Sequence, residues 1–489
     1  MTDLLDDAVA AAGLTVFGVA TTTRPADAPA PFPFLPGPEL TSRIVSLRAD
    51  LRAHGLDRVV VCGPGAGAPA IAATLGLDLT VLRNGDPHQL HTALTDVGRT
   101  VVVLAAAEAS VVTDAYRRAL LQAFEDAGIH DAGRRFVVVT APDSVYETFA
   151  LELGAQLFLA APTSSALSAY ALVPAGLAGA DTAALLAEAS ALQAPPAPAQ
   201  RQPAGFGAPI ASAPTASPDI ADISVLPGVA LGETIAAAVR QGRDKLAIAS
   251  DGTGIDGLGP WIEQLFGAAL VTVALENPSS WGHEGPDVLG VTVGGVLGRA
   301  IMPGGGIRPD LSVNGPLGAH LLTWEQAAMV AGGVAPPPAA EGDDLLRRLD
   351  GEPPAEAPAL VEGAIEVYGD TAATTLIGAI DELARAVAPG GRIAIAAHLD
   401  PAGDARVAEA RDALAGRIDR AVTFGWGARA GATLIITGAV THDVRVPGKS
   451  YTFGELQAAS ARTAEGPVLR LHLTDRATGT EELLAALGG

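Results

Sequence analysis

The chain reads as an α/β protein built from two tandem domains, each a parallel sheet flanked by helices. Three observations predict this. Short apolar runs rich in β-branched residues recur: RVVVCG (58–63), LTVLRN (79–84), TVVVLAA (100–106), RFVVVT (135–140) and QLFLAA (156–161). Strands that are apolar throughout belong to parallel sheets covered on both faces. Helical patterns such as AYRRALLQAFEDAG (115–128) separate these runs, the alternation that βαβ units produce. The rhythm then stops in a Pro-, Ala-, Gln- and Ser-rich stretch from Ala194 to Ser217 and restarts beyond it.

In the second half a helix around 230–242 leads to strand KLAIAS (245–250). Strands LVTVAL (270–275) and VLGVTV (288–293) follow, then a helix over roughly 317–332. APPPAAEGDD (335–344) breaks the pattern. GAIEVYG (363–369), a helix near 373–388, RIAIAAH (392–398), a helix near 403–416 and TLIITG (433–438) resume it. The expected organisation is an amphipathic helical and Pro-rich opening over 1–40, a first domain over 41–193, a linker over 194–217, a second domain over 218–440 and an extension over 441–489.

Composition narrows the function classes. The 489 residues carry a formal net charge of −23, a field that repels phosphate backbones and anionic lipids. Nucleic-acid and membrane-surface partners are therefore not expected. An anionic ligand would need a local basic pocket. With Cys62 as the single cysteine, an intrachain disulfide and a Cys-based metal cluster are both excluded. No uncharged apolar run reaches the length of about 18 residues that a spanning helix needs. The chain opens without a basic segment leading into an apolar one, so a cytoplasmic protein is expected.

Several motifs sit where strands end. GPGAGA (63–68) fits G-x-G-x-x-G/A, with Gly63 and Gly65 as phosphate-approaching glycines and Asp86 at a distance suited to a ribose contact. A plain strand-to-helix turn explains the same residues. AAAEASVVTD (105–114) places Ser110 at a helix start as a ligand group and Glu108 as a charge that repels a phosphate, or both as cap and dipole partners. PTSSALSAYALVPAGLAGAD (162–181) offers Thr163, Ser164 and Ser165 as hydroxyl donors to a polar ligand or as N-caps. DGTGIDG (251–257) is the most polar strand tip of the second half. There Asp251, Thr253 and Asp256 form a ligand-binding or acid–base group, or simply stabilise a turn.

KLAIASDGTGIDGLGPWIEQL (245–265) resembles the second sugar-phosphate-binding half of glucose-6-phosphate isomerases, the bacterial kind often fused to transaldolase. Further matched segments follow in order. PTSSALSAYALVPA resembles the family's Gly-Gly-Arg-Tyr-Ser-x-Leu-Ser segment and its Leu-Val-Pro-Ala continuation. PLGAHLLTWEQA (316–327) resembles Pro-Leu-Gly…Trp-Glu-x-Ala, with Trp324 and Glu325 matching. TFGWGARAGATLIITGAVTHD (423–443) resembles Thr-x-Gly-Tyr-Gly-Pro-Arg running into Ser-Thr-Gly-Gln-Leu-His-Lys-Gly-Gly. YTFGELQAAS (451–460) and PVLRLHL (467–473) match the family's end.

The resemblance implies tandem sugar-isomerase-type domains, a homodimer with its site between the halves, and no cofactor or metal. It also shows what is missing. The Glu-Ser-Thr-Gly-Lys run that carries the family's base falls at Phe266, Gly267, Ala268, Ala269 and Leu270. The family arginine and tyrosine fall at Thr163 and Ser164, and the Ser-Lys-Ser-Gly-x-Thr phosphate loop at Ala106–Val111. The family's His and Lys fall at Thr441 and His442. Arg347 and Arg348 stand near the place of a functional lysine but do not lose protons. Glu263 matches a family glutamate that is not catalytic. The expected protein has no catalytic residue and binds a sugar phosphate or an enzyme of glycolysis or the pentose-phosphate pathway. An active aldose–ketose isomerase using Glu108, Asp251, Asp256 or Glu263 as base is the alternative.

Overall fold

A computed structural model describes residues 15–17, 35–63, 67–193, 226–267, 270–275, 287–295, 309–332, 343–350, 356–388, 390–418, 420–428, 431, 433–462 and 468–488. The expected α/β architecture of parallel sheets flanked by helices is what it shows, with the described strands gathered in three sheets. Strand β1 (Thr15–Phe17) lies in the stretch expected to be helical. It pairs antiparallel with a strand of the second sheet, whose edge gives the β-branched Thr15 and Val16 a ladder partner.

The first sheet holds β2 (Arg58–Cys62), β3 (Leu79–Leu82), β4 (Thr100–Ala105), β5 (Phe136–Thr140) and β6 (Gln156–Leu159), parallel throughout in the order β3-β2-β4-β5-β6. The helices serving it are α1 (Pro38–Ala53), α2 (Ala68–Leu75), α3 (Pro87–Leu94), α4 (Val111–Asp126), α5 (Val145–Leu153), α6 (Ala169–Ala178) and α7 (Thr182–Gln193). Val101 and Val103 of β4 join one apolar cluster while Val102 and Leu104 join another, as a strand buried on both faces requires. Cys62 is fully buried, and burial pushes its thiol well above its ordinary range. The strand order reverses between β2 and β4, so the crevice outside their carboxyl ends is the switch point of this sheet.

In the second half, α8 (Pro227–Arg240) precedes β7 (Lys245–Ser250), α9 (Gly259–Phe266), β8 (Val271–Leu275), β9 (Val288–Gly294), β10 (Leu311–Asn314) and α10 (Leu317–Ala331). The sheet order β1-β10-β9-β7-β8 puts its switch point between β7 and β9. A third, six-stranded sheet follows. It holds β11 (Leu360–Glu362), β12 (Ile365–Tyr368), β13 (Ile393–His398), β14 (Val422–Trp426), β15 (Leu434–Gly438) and β16 (Leu469–Leu473), in the order β11-β12-β16-β15-β13-β14. Its helices are α11 (Leu376–Ala386), α12 (Glu409–Ile418), α13 (Phe453–Ser460) and α14 (Arg476–Leu487). The stretch expected as an extension over 441–489 thus supplies an interior strand, β16, paired with both β15 and β12. The linker over 194–217 lies outside the described residues.

Candidate functional site

The motif residues follow strand ends in the first two sheets, and a seam of hydrogen bonds joins the two halves, Ser165 to Glu325 and Thr74 to the Asp256 carbonyl among them. At the first switch point Gly63 follows β2 with φ +122°, left-handed backbone that favours glycine, and a Cβ there would strike the Ala105 carbonyl. Gly65 lies outside the described residues. Ser110 caps α4, accepting from Thr113 N at 3.0 Å and donating to Thr113 Oγ1 at 2.8 Å. Glu108 is exposed just before it.

The loop before α6 is tied down by its own hydroxyls. Thr163 Oγ1 accepts from Ser165 N at 3.1 Å, Ser168 donates to Ser165 O at 2.7 Å, and Ser164 is buried. Ser165 turns across the seam: its hydroxyl lies 2.9 Å from both carboxyl oxygens of Glu325. Ala166 N donates to the same carboxyl at 2.8 Å. Glu325 is 2 % exposed in the middle of α10, beside Trp324, which packs edge-on against Phe266 with ring centroids 6.4 Å apart. Among the described residues no cation pairs with this carboxyl, and burial pushes it up to about 7 against the pull of Ser165 and two backbone N–H groups. Its sequence signal was the single acid of that helix.

The second switch point carries the DGTGIDG motif. Asp251 accepts from Thr253 N at 2.8 Å and from the Thr253 hydroxyl through one oxygen, and from Asn314 Nδ2 at 3.2 Å through the other. Gly294, at the tip of β9, leaves the room this carboxylate fills, since a Cβ there would overlap it. A buried relay continues from Asn314 to Ser312 at 2.6 Å and Thr292 at 3.0 Å. Thr253 Oγ1 also accepts from Gly295 N at 2.8 Å. His320 lies fully buried on α10 with Nε2 2.9 Å from Gly294 O, and burial lowers it to about 4, so it stays neutral. Neither His320 nor Glu325 was among the expected site residues. Asp256 is exposed, while its carbonyl accepts from Thr74. Glu263 is half-buried on α9.

A second seam joins the first sheet to the third, and it corrects the reading of Asp86 as a ribose contact. Asp86 is fully buried, caps α3 through His88 N at 2.6 Å, and accepts from Gln457 Nε2 at 2.9 Å and Arg476 Nη1 at 3.0 Å. A carboxylate bonded from these directions, with His88 Nδ1 3.4 Å from its other oxygen, has no room for a sugar hydroxyl. Asn84 donates to Leu399 O at 2.6 Å in the same place. His442 stacks on His91 with ring centroids 5.4 Å apart, and Thr441 bonds His88. Arg348 pairs with Asp344 of its own short helix, and Arg347 does so at 3.2 Å. Among the described residues no group of three or more His, Cys, Asp or Glu could hold a metal ion. No described helix is long and apolar enough to cross a membrane.

No family model matches this chain. No curated protein matches it either. Solved structures similar to it include a glucose-6-phosphate isomerase from Chlamydia trachomatis D/UW-3/Cx, at 15% identity over 71% of this chain and 83% of that one, with a TM-score of 0.45. A putative sugar binding protein from Salmonella typhimurium LT2 shares 10% identity over 60% of this chain and 95% of that one, with a TM-score of 0.34. The C-terminal domain of glucosamine-fructose-6-phosphate aminotransferase from Francisella tularensis shares 10% over 61% and 95%, with a TM-score of 0.32.

Proposed function

We propose that this chain is a glucose-6-phosphate isomerase-like protein of sugar-phosphate metabolism that lacks isomerase chemistry and acts by binding a metabolite or a partner enzyme. The observation that carries the reading is the closed bonding of the buried carboxyls. Glu325 is held by Ser165 and Ala166, and Asp251 by Thr253 and Asn314, so the buried carboxyls there bind protein. General acid–base catalysis contributes about 10²–10⁴-fold and needs a titratable group in reach of the substrate. Phe266, where the resemblance puts the start of the base-carrying run, is buried and apolar, and Leu270 is too. Ala268 and Ala269 lie outside the described residues. A homodimer and a cytoplasmic location belong to the same proposal.

One observation favours the alternative of an active aldose–ketose isomerase. A Glu325 carboxyl at about 7 has the affinity a general base working near neutrality needs. Purified protein in a coupled assay for conversion of fructose-6-phosphate to glucose-6-phosphate separates the two. The proposal expects turnover no higher than a mock purification, together with a thermal shift from at least one sugar phosphate. Turnover lost in Glu325→Gln would establish the alternative.

A further inference from the structure

At the seam of the first and third sheets, three groups from two remote segments line up. The Thr441 hydroxyl lies 2.8 Å from His88 Nε2. His88 Nδ1 lies 3.4 Å from Asp86 Oδ1. Hydroxyl, imidazole and carboxylate in that order are a nucleophile, a base and the group that orients the base. Burial rises inward: Thr441 is exposed, His88 is 25% exposed and Asp86 is fully buried. Thr441 follows β15 and Asp86 to His88 follow β3, both at carboxyl ends of strands, where open α/β sheets gather their ligands.

The carboxylate is supported beyond what a helix cap requires. A cap uses only the His88 N–H. Here the second oxygen of Asp86 is held by Gln457 and Arg476 together. Gln457 is fixed in turn by the His398 carbonyl at 2.8 Å, and Arg476 by Asp404 at 2.8 Å and the Ala439 carbonyl at 3.0 Å. His88 Nδ1 is buried and makes no hydrogen bond. Pairs of this kind are often long without substrate and tighten in the complex with it.

We propose that Thr441, His88 and Asp86 form a base-activated hydroxyl site that accepts acyl groups from small activated esters, separate from the seam around Glu325. Thr441 Oγ1 attacks the ester carbonyl carbon while His88 Nε2 takes the hydroxyl proton. The C–O bond to the leaving group breaks, and the imidazolium returns the proton to the departing alkoxide. Thr441 then carries the acyl group as an ester. Water, deprotonated by the same nitrogen, cleaves that ester, restoring the hydroxyl and releasing a carboxylic acid. Asp86 is a positioning residue: it favours the tautomer with the proton on Nδ1 and steadies the cationic ring.

The test treats the full chain with p-nitrophenyl acetate, following p-nitrophenolate release by absorbance and the acyl adduct by peptide mass spectrometry. The expected result is an adduct on Thr441 and release roughly 10²-fold above that of Thr441→Ala. Thr441→Ser keeps the adduct and His88→Gln loses it, with both folds checked by thermal unfolding. Nitrogen NMR of the His88 ring, which a merely structural Asp86 would leave unmoved, shows the Nδ1–H tautomer in the native chain and its loss in Asp86→Asn. An adduct confined to lysines or the amino terminus, or release unchanged in Thr441→Ala and His88→Gln, overturns the proposal.

Discussion

The first sheet faces two neighbours, and it meets them with opposite chemistry. Toward the second sheet it presents the neutral hydroxyl of Ser165 and two N–H groups to a carboxyl without a cation, Glu325. Toward the third it presents a carboxylate, Asp86, to the guanidinium of Arg476. The buried acid is on the far side in one seam and the near side in the other. Only the second seam sets a cation beside its acid; in the first, burial pushes Glu325 up to about 7. Two buried acids thus have different partners, and the difference lies in one arginine.

Removing that arginine is the strongest way to break the contrast. In Arg476→Met, Asp86 stays buried with its guanidinium gone, and Asp404 loses the same partner. The expected loss is about 3–5 kcal/mol, read as faster hydrogen exchange across residues 84–94.

Glu325→Gln sharpens the contrast through pH. The folded-state affinity of Glu325 is raised to about 7, so its stabilisation is complete below about 4.3, the ordinary glutamate value, and is lost as pH rises through 7. His320 and His398 are lowered to about 4 by burial. Their stabilisation is complete above about 6.5 and is lost as pH falls through 4. The slopes oppose one another in the native chain. Glu325→Gln leaves the histidines alone, so stability should climb more steeply from pH 4.5 to 6.5 than in the native protein, by about 3 kcal/mol over the full window. Parallel profiles would remove Glu325 as the neutral acid.

Smaller effects follow. Ser165→Ala withdraws the hydroxyl shared by both Glu325 oxygens and should cost about 1–2 kcal/mol, measured by denaturant unfolding. Thr452→Ala removes one arm of the capping box that starts α13, the helix carrying Gln457, and should cost about 1 kcal/mol.

The fold was largely legible because its signal is local. Runs such as RVVVCG and KLAIAS have only one place to go, between helices in a parallel sheet. The allocation of the second-half strands to two sheets was not legible, since pairing is a long-range choice that β-branched composition does not encode. Strand β10 was missed because LSVN is short and half polar; its Ser312 and Asn314 are buried by bonding Thr292 and Asp251 rather than by apolarity. Asp251 and Ser165 were singled out from polar strand tips, while the sequence signal of Glu325 and His320 was hidden inside a helix. Arg476 could not be read at all, because its partner Asp86 lies 390 positions away in sequence.

The most direct test of the central claim is the steady-state rate of fructose-6-phosphate isomerisation by the native chain at high protein concentration, at pH values on both sides of 7. The account predicts no rate above a mock purification at either pH. A rate that rises as Glu325 ionises and vanishes in Glu325→Gln would contradict it.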